Sequence, residues 1–255
     1  MAGLSKVSVG DLFTLANGVI GFVAITYIFD GKYLSATGLL MLSLMMDGLD
    51  GLLARRYGSR HSMGQVLDSI SDSVSFAFAP ALLLYAEFRG SSDGMLEYSL
   101  VLACSVAMIA TGLFRLARFS AGGYQLDYFV GMPAPAAALL ILLTCLLFGA
   151  TDGAEGARYY FAFGISLPVA LSVGVLASFL MASEIPYPKP RGWTATASGL
   201  AVIVALVPYV AGLAFVGDQD LYRASSRTAT AIALAMTAAY VFGGPFYEKV
   251  KRGHS

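Results

Sequence analysis

Residues 47–55 read Asp47-Gly48-Leu49-Asp50-Gly51-Leu52-Leu53-Ala54-Arg55, and eight residues later the chain continues Gly64-Gln65-Val66-Leu67-Asp68-Ser69-Ile70-Ser71-Asp72. Each stretch lies at one end of a long apolar run, 33–56 and 65–88. At the centre of a bilayer a charged residue costs about 2.5–3.5 kcal/mol, so four uncompensated aspartates would cost roughly 10 kcal/mol. That is comparable to the whole stability of a typical domain, so something must offset it. Asp47 and Asp50 are three apart, and Asp68 and Asp72 are four apart, so each pair shares a helix face. A short connection makes the two helices antiparallel neighbours, and the four carboxylates then converge on one pocket.

Their mutual repulsion requires cations. An oxygen-only ligand set suits Mg2+ or Mn2+, and Ca2+ also fits; the reading calls for no organic cofactor. No His or Cys stands within the cluster, which argues against zinc, and His61 reads as an exposed loop histidine. Gly48, Gly51, Ala54 and Gly64 keep bulk off the carboxylate faces, which lets a helix or a nucleotide diphosphate approach the backbone. Helix packing alone is an equal reading of Gly48. Arg55, one turn past Gly51, is placed to meet a phosphate or pair with an aspartate. Arg56 and Arg60 read as ordinary basic residues of a membrane surface. Aspartates that merely cap helices or pair with arginines are the weaker reading, because charged residues are rarely buried.

Working outward, 57% of the 255 residues are hydrophobic and 13% are charged, against about 25% charged in a soluble domain. Mean hydropathy is +0.72. The net charge of zero suggests no nucleic-acid partner. Cys104 and Cys145 lie within apolar runs and read as buried thiols. No cleavable signal sequence is evident. With roughly 20 apolar residues needed per membrane helix, eight spans are expected, near 11–29, 33–56, 65–88, 96–119, 132–149, 158–182, 194–216 and 227–247. The expected fold is therefore all-α, a polytopic membrane helical bundle with short loops and no internal repeat. With the N-terminus in the cytoplasm, Lys6, the Arg55–Arg60 group, Arg115, Arg118, Lys189, Arg191 and the C-terminal Lys249, Lys251 and Arg252 all fall inside. Only Lys32, Arg89, Arg158, Arg223 and Arg227 fall outside. This bias predicts a multi-pass protein of the cytoplasmic membrane, with both termini and the aspartate cluster on the cytoplasmic side.

The aspartate pattern resembles the signature of the CDP-alcohol phosphotransferase family, D-x2-D-G-x2-A-R-x8-G-x3-D-x3-D. Asp47, Asp50, Gly51, Ala54, Arg55, Gly64, Asp68 and Asp72 match every fixed position in register. The resemblance implies a six-helix membrane core, a homodimer, and transfer of a phosphatidyl-type group from a CDP-lipid to an alcohol with release of CMP. It implies that Asp47, Asp50 and Asp68 bind metal and that Asp72 is a further ligand or the catalytic base. Gly51, Ala54, Arg55, Gly64 and Asp68 would line the CDP-lipid site. On this view residues 1–190 are the catalytic core and 191–255 an added two-helix segment.

Arg115-Leu116-Ala117-Arg118-Phe119 and Phe129-Val130-Gly131-Met132-Pro133-Ala134-Pro135 are similar to segments of the family's phosphatidylserine and archaetidylserine synthase branch. So are Asp11 to Asn17 with Gly21, and Ile185-Pro186-Tyr187-Pro188. Ser120 stands where that branch carries Asn, and Met132 where it carries Leu. The implied acceptor is L-serine, and the implied donor is CDP-diacylglycerol or CDP-archaeol. Arg115 and Arg118, three apart, share a face near the cytoplasmic end of the fourth span, and paired guanidiniums suit an acceptor carboxylate or a phosphate. A pair that snorkels to lipid head groups is the bland alternative. Pro133 and Pro135 either shape a pocket wall or begin a helix, and Gly243-Gly244-Pro245 reads as the end of the last span. Two other functions compete: the same chemistry on glycerol phosphate, inositol phosphate or inositol, and an ion or metal transporter. Carboxylates concentrated on two adjacent helices near one membrane face favour catalysis over a midplane transport site.

Overall fold

The structure, a computed structural model, describes residues 9–57, 62–89, 94–122, 127–149, 166–189, 200, 202–204, 206 and 219–253; of 9, 50–57, 62, 219–226 and 253 it describes the backbone alone. Helix α1 is Val9–Phe29 and α2 is Tyr33–Tyr57. Gly31, at φ 72°, closes α1. Its N–H bonds Ile28 O at 3.1 Å, and the Lys32 N–H bonds Tyr27 O at 2.8 Å. Only a residue tolerant of left-handed backbone ends a helix this tightly, and α2 turns straight back along α1.

Helix α3, Ser62–Asp72, runs without a break through a π-helical segment, Ser73–Phe78, into α4, Ala79–Phe88. Pro80 lacks the N–H that would bond four residues back, and the widened turn falls just ahead of it. Helix α5 is Met95–Gly122, α6 is Ala134–Phe148, α7 is Ser166–Ala182 and α8 is Gln219–Gly253. Helix α6 is apolar and largely buried, with α4, α7 and α8 packed against it. A helix apolar all round belongs in a core. Pro133 is its N-cap and Pro135 lies in its first turn, so both prolines begin the helix.

Among the described residues, four segments are long and apolar enough to cross a membrane: Gly10–Phe29, Met63–Phe88, Met95–Gly122 and Arg227–Arg252. Tyr33–Leu49, Ala134–Phe148 and Ser166–Ala182 are shorter apolar helices. The chain is an all-α membrane bundle. The expected seventh span, 194–216, lies mostly outside the described residues, as does the start of the sixth. Cys104 and Cys145 are buried free thiols, as expected.

Two features depart from expectation. First, Tyr128–Val130 (β1) and Pro186–Pro188 (β2) form a small antiparallel ribbon, pairing Tyr128 with Pro188, Phe129 with Tyr187 and Val130 with Pro186. Strands this short leave no period to read. Second, α8 does not end at Gly243-Gly244-Pro245 but runs through Pro245 to Gly253. Pro245 removes the donor that would satisfy Val241 O. The Tyr187 hydroxyl donates to that same carbonyl at 3.1 Å. A proline is tolerated inside a membrane helix when a neighbour re-satisfies the freed group.

Candidate active site

Helix α1 is built inside out. Its buried stripe is Gly10, Thr14, Asn17, Gly21, Ala24 and Ile28, with Asp11 buried beside it, while Leu12, Leu15, Val19 and Phe22 face outward. The stripe alternates steps of four and three, the spacing of closely packed antiparallel helices. A Cβ built on Gly18 would stand 3.0 Å from Ser71 Oγ, and one on Gly21 would stand 3.0 Å from Ser75 Cα. The missing side chains bring α1 onto the α3–π segment.

That approach carries Asn17, fully buried, to the acidic cluster. Its Nδ2 donates to Asp72 Oδ1 at 3.0 Å. Its Oδ1 accepts from Ser43 on α2 through a short bond. Its main-chain carbonyl accepts from Ser75 at 3.0 Å and from Ser43 at 3.3 Å. An ionised carboxylate only accepts, so the amide must present its NH2 to Asp72. Asn17 therefore ties α2, α1 and α3 together at the base of the cluster.

Carboxylate oxygens of Asp47, Asp68 and Asp72 lie within 4.8 Å of one another. Asp47 and Asp68 are half-buried and Asp72 is buried. Three carboxylates this close repel unless a cation joins them, and an all-oxygen set matches a hard divalent ion. The cluster fits a metal. Asp50, Gly51, Ala54 and Arg55 continue α2 beyond Asp47, and their side chains lie outside the described ones. Gly64 lies on α3, one turn before Asp68. A Cβ on Gly48 would meet no described atom within 4 Å, so Gly48 is not a packing glycine against the described residues, and it borders open space beside Asp47.

The two predicted arginines part company. Arg115 is buried and lies over the rings of Phe119 and Phe129, at 5.2 and 5.3 Å from the centroids. Asp72 and Asp47 both lie within electrostatic range of it. Arg118 donates instead to main-chain carbonyls: Val130 at 2.6 Å, Met181 and Ser183 at 3.1 Å and Ala182 at 3.3 Å. It caps α7 and pins the ribbon to that cap. Gly131, at φ 76°, is part of this knot, because a Cβ there would press on Arg118 Nη2 and stand 2.6 Å from Met181 O.

Lys189, read from sequence only as a surface charge, lies over the same ring pair as Arg115, at 5.7 Å from Phe119 and 5.5 Å from Phe129. The two rings meet edge-on at 5.4 Å. Ser120 bonds Ser69, between Asp68 and Asp72, at 2.5 Å and holds the end of α5 against α3. Sequence reasoning assigned no role to Asn17 or Lys189. The available signal for Asn17 was an amide within an apolar span. For Lys189 there was none, because its aromatic neighbours come from two other elements.

An apolar helical bundle with three carboxylates gathered from two adjoining helices is a membrane protein with a cluster that could hold a metal ion. The comparisons make the class specific: residues 7–243 match the family described as CDP-alcohol phosphatidyltransferase, and the chain belongs to it. The chain is 35% identical over 183 residues to a CDP-diacylglycerol–serine O-phosphatidyltransferase of Methanocaldococcus jannaschii, covering 72% of this chain and 75% of that one. It is 34% identical over 181 residues to the protein of the same name from Helicobacter pylori, covering 70% and 71%. It is 31% identical over 200 residues to the archaetidylserine synthase of Methanothermobacter thermautotrophicus, covering 75% and 74%.

Proposed function

We propose that the protein serves phospholipid synthesis by transferring a phosphatidyl or archaetidyl group from a CDP-lipid to the hydroxyl of L-serine, releasing CMP. The convergence of Asp47, Asp68 and Asp72 within 4.8 Å carries this reading. Asp47, Asp68 and Asp72, together with Asp50, would hold Mg2+ or Mn2+. Bound there, a divalent ion supplies charge neutralisation for a pyrophosphate and for its transition state.

The chain's own groups do the rest. Gly48 leaves space for the donor beside Asp47, and Gly51, Ala54, Arg55 and Gly64 border the nucleotide. Arg115 and Lys189, over one aromatic pair, attract the serine carboxylate, while Arg118 holds the frame. Asn17 fixes the Asp72 carboxylate so that it takes the serine hydroxyl proton. The serine oxygen forms a bond to the phosphorus that bears the lipid, the bond from that phosphorus to the CMP oxygen breaks, and CMP departs with the electron pair. The basic-residue bias supports a site that opens to the cytoplasm with both termini on that side, and the family resemblance supports a homodimer.

The decisive assay measures CMP release by purified protein with CDP-lipid and Mn2+ against an acceptor panel of serine, glycerol phosphate, inositol phosphate and inositol. Serine as the preferred acceptor supports the reading; preference for another overturns the acceptor. Asp72→Asn should lose most turnover yet still bind CDP-lipid. Near-normal turnover would remove Asp72 from the base role.

A further inference from the structure

Among its described side chains, helix α8 contributes none to the acidic cluster, yet it is fastened to the ribbon that leads into Lys189. The Tyr240 hydroxyl donates to Pro188 O at 3.1 Å, the carbonyl immediately ahead of Lys189. The Tyr187 hydroxyl donates to Val241 O at 3.1 Å, the carbonyl freed by Pro245. The two tyrosine rings lie 6.0 Å apart. A Cβ on Gly244 would stand 3.2 Å from Pro188 Cδ, so the absent side chain lets the helix seat on the ribbon. Nearer the helix end, Arg252 lies over the Tyr128 ring of β1 at 4.3 Å. Both hydroxyl bonds run between α8 and β2 in opposite directions, and Tyr240 also lies within electrostatic reach of Arg115. Burial pushes the Tyr187 phenol up to about 12, so it remains a donor at any working pH.

We infer that α8 is a latch for the acceptor pocket, in which Tyr240 and Tyr187 are positioning residues that hold β2 so that Lys189 shares the Phe119–Phe129 pair with Arg115. The inference rests on the proposed role of Lys189 and Arg115 toward the acceptor carboxylate. A latch of this kind sets acceptor binding and leaves donor binding to the α2–α3 face. The Gly243-Gly244-Pro245 sequence is then a docking notch: glycine supplies the clearance and proline supplies the vacant carbonyl.

The test is steady-state CMP release by the full chain in detergent, with serine and CDP-lipid varied separately, for Tyr240→Phe, Lys189→Ala and the double variant. A neutral hydrogen bond lost from a positioning contact corresponds to a rise of about five- to tenfold in the serine KM for Tyr240→Phe. The CDP-lipid KM should stay within about twofold, and kcat should change less than the serine KM. Because Tyr240 acts through Lys189, the double variant should be no worse in serine KM than Lys189→Ala alone. Tyr187→Phe, which releases the other bond, should give the same split and decides the matter if Tyr240→Phe does not fold. Equal rises in both KM values, or effects that multiply in the double variant, overturn the latch. A raised serine KM in Lys189→Ala with none in Tyr240→Phe or Tyr187→Phe overturns the latch alone. An unchanged serine KM in Lys189→Ala overturns the acceptor assignment and the latch with it.

Discussion

Asn17 touches Asp72, Ser43 and Ser75 at once, and its removal would release one face of the acidic cluster without taking a carboxylate from it. Groups that orient metal ligands typically cost 10–100-fold in affinity or activity when removed. Asn17→Ala should therefore lose turnover by roughly that factor and require more Mn2+ for half-maximal CMP release; unchanged metal dependence would show that Asn17 only packs. At this scale the sequence was legible in part. The aspartates were legible as a group because two pairs, three and four residues apart, fall on two neighbouring helices. Asn17 entered the sequence reading only as the end of a family-like segment, and its partner lies 55 residues away in the chain, beyond any local period. Arg115 and Arg118 are indistinguishable by spacing. Only the fold shows that one lies on aromatic rings while the other is committed to main-chain carbonyls.

Among the elements, the span limits on α1, α2 and α5 were readable within a few residues, because a long apolar run admits only a helix in lipid. Which face each helix buries was not readable. In α1 the interior takes mostly small and polar residues and the exposed face carries Leu12, Val19 and Phe22, so large apolar side chains mark the outside along most of the helix. The π turn and the ribbon arise from Pro80 and from contacts distant in sequence. Gly21 provides the test of this packing. A methyl group there would push α1 off Ser75 and carry Asn17 away from Asp72. Gly21→Ala should lower the detergent melting temperature and cut turnover, with all four aspartates intact. Gly48→Ala meets no described atom within 4 Å and should melt like the parent, so a turnover defect there would report lost donor clearance.

For the molecule as a whole, the acidic cluster is a liability that binding converts into an asset. A ligand at 100 times its dissociation constant stabilises the folded state by about 2.7 kcal/mol. Stripping divalent ions with EDTA should lower the melting temperature and abolish CMP release, and Mn2+ should restore both. Asp68→Asn relieves repulsion among oxygens that lie within 4.8 Å. It should melt higher than the parent in EDTA, yet lose the Mn2+-induced shift and the activity. A lower melting temperature in EDTA would mean that the carboxylates are satisfied by protein groups alone.

Pro245 has a consequence beyond its own helix. A proline is usually counted a flaw in a membrane segment, yet here the gap it leaves at Val241 is filled by Tyr187 from another part of the chain. Pro245→Ala would let α8 heal itself: residue 245 would regain an N–H aimed at that carbonyl, and the tyrosine would have to compete for it. The variant should gain local order by slower amide exchange within α8, while exchange at the ribbon quickens, so that straightening one helix unfastens two parts of the protein.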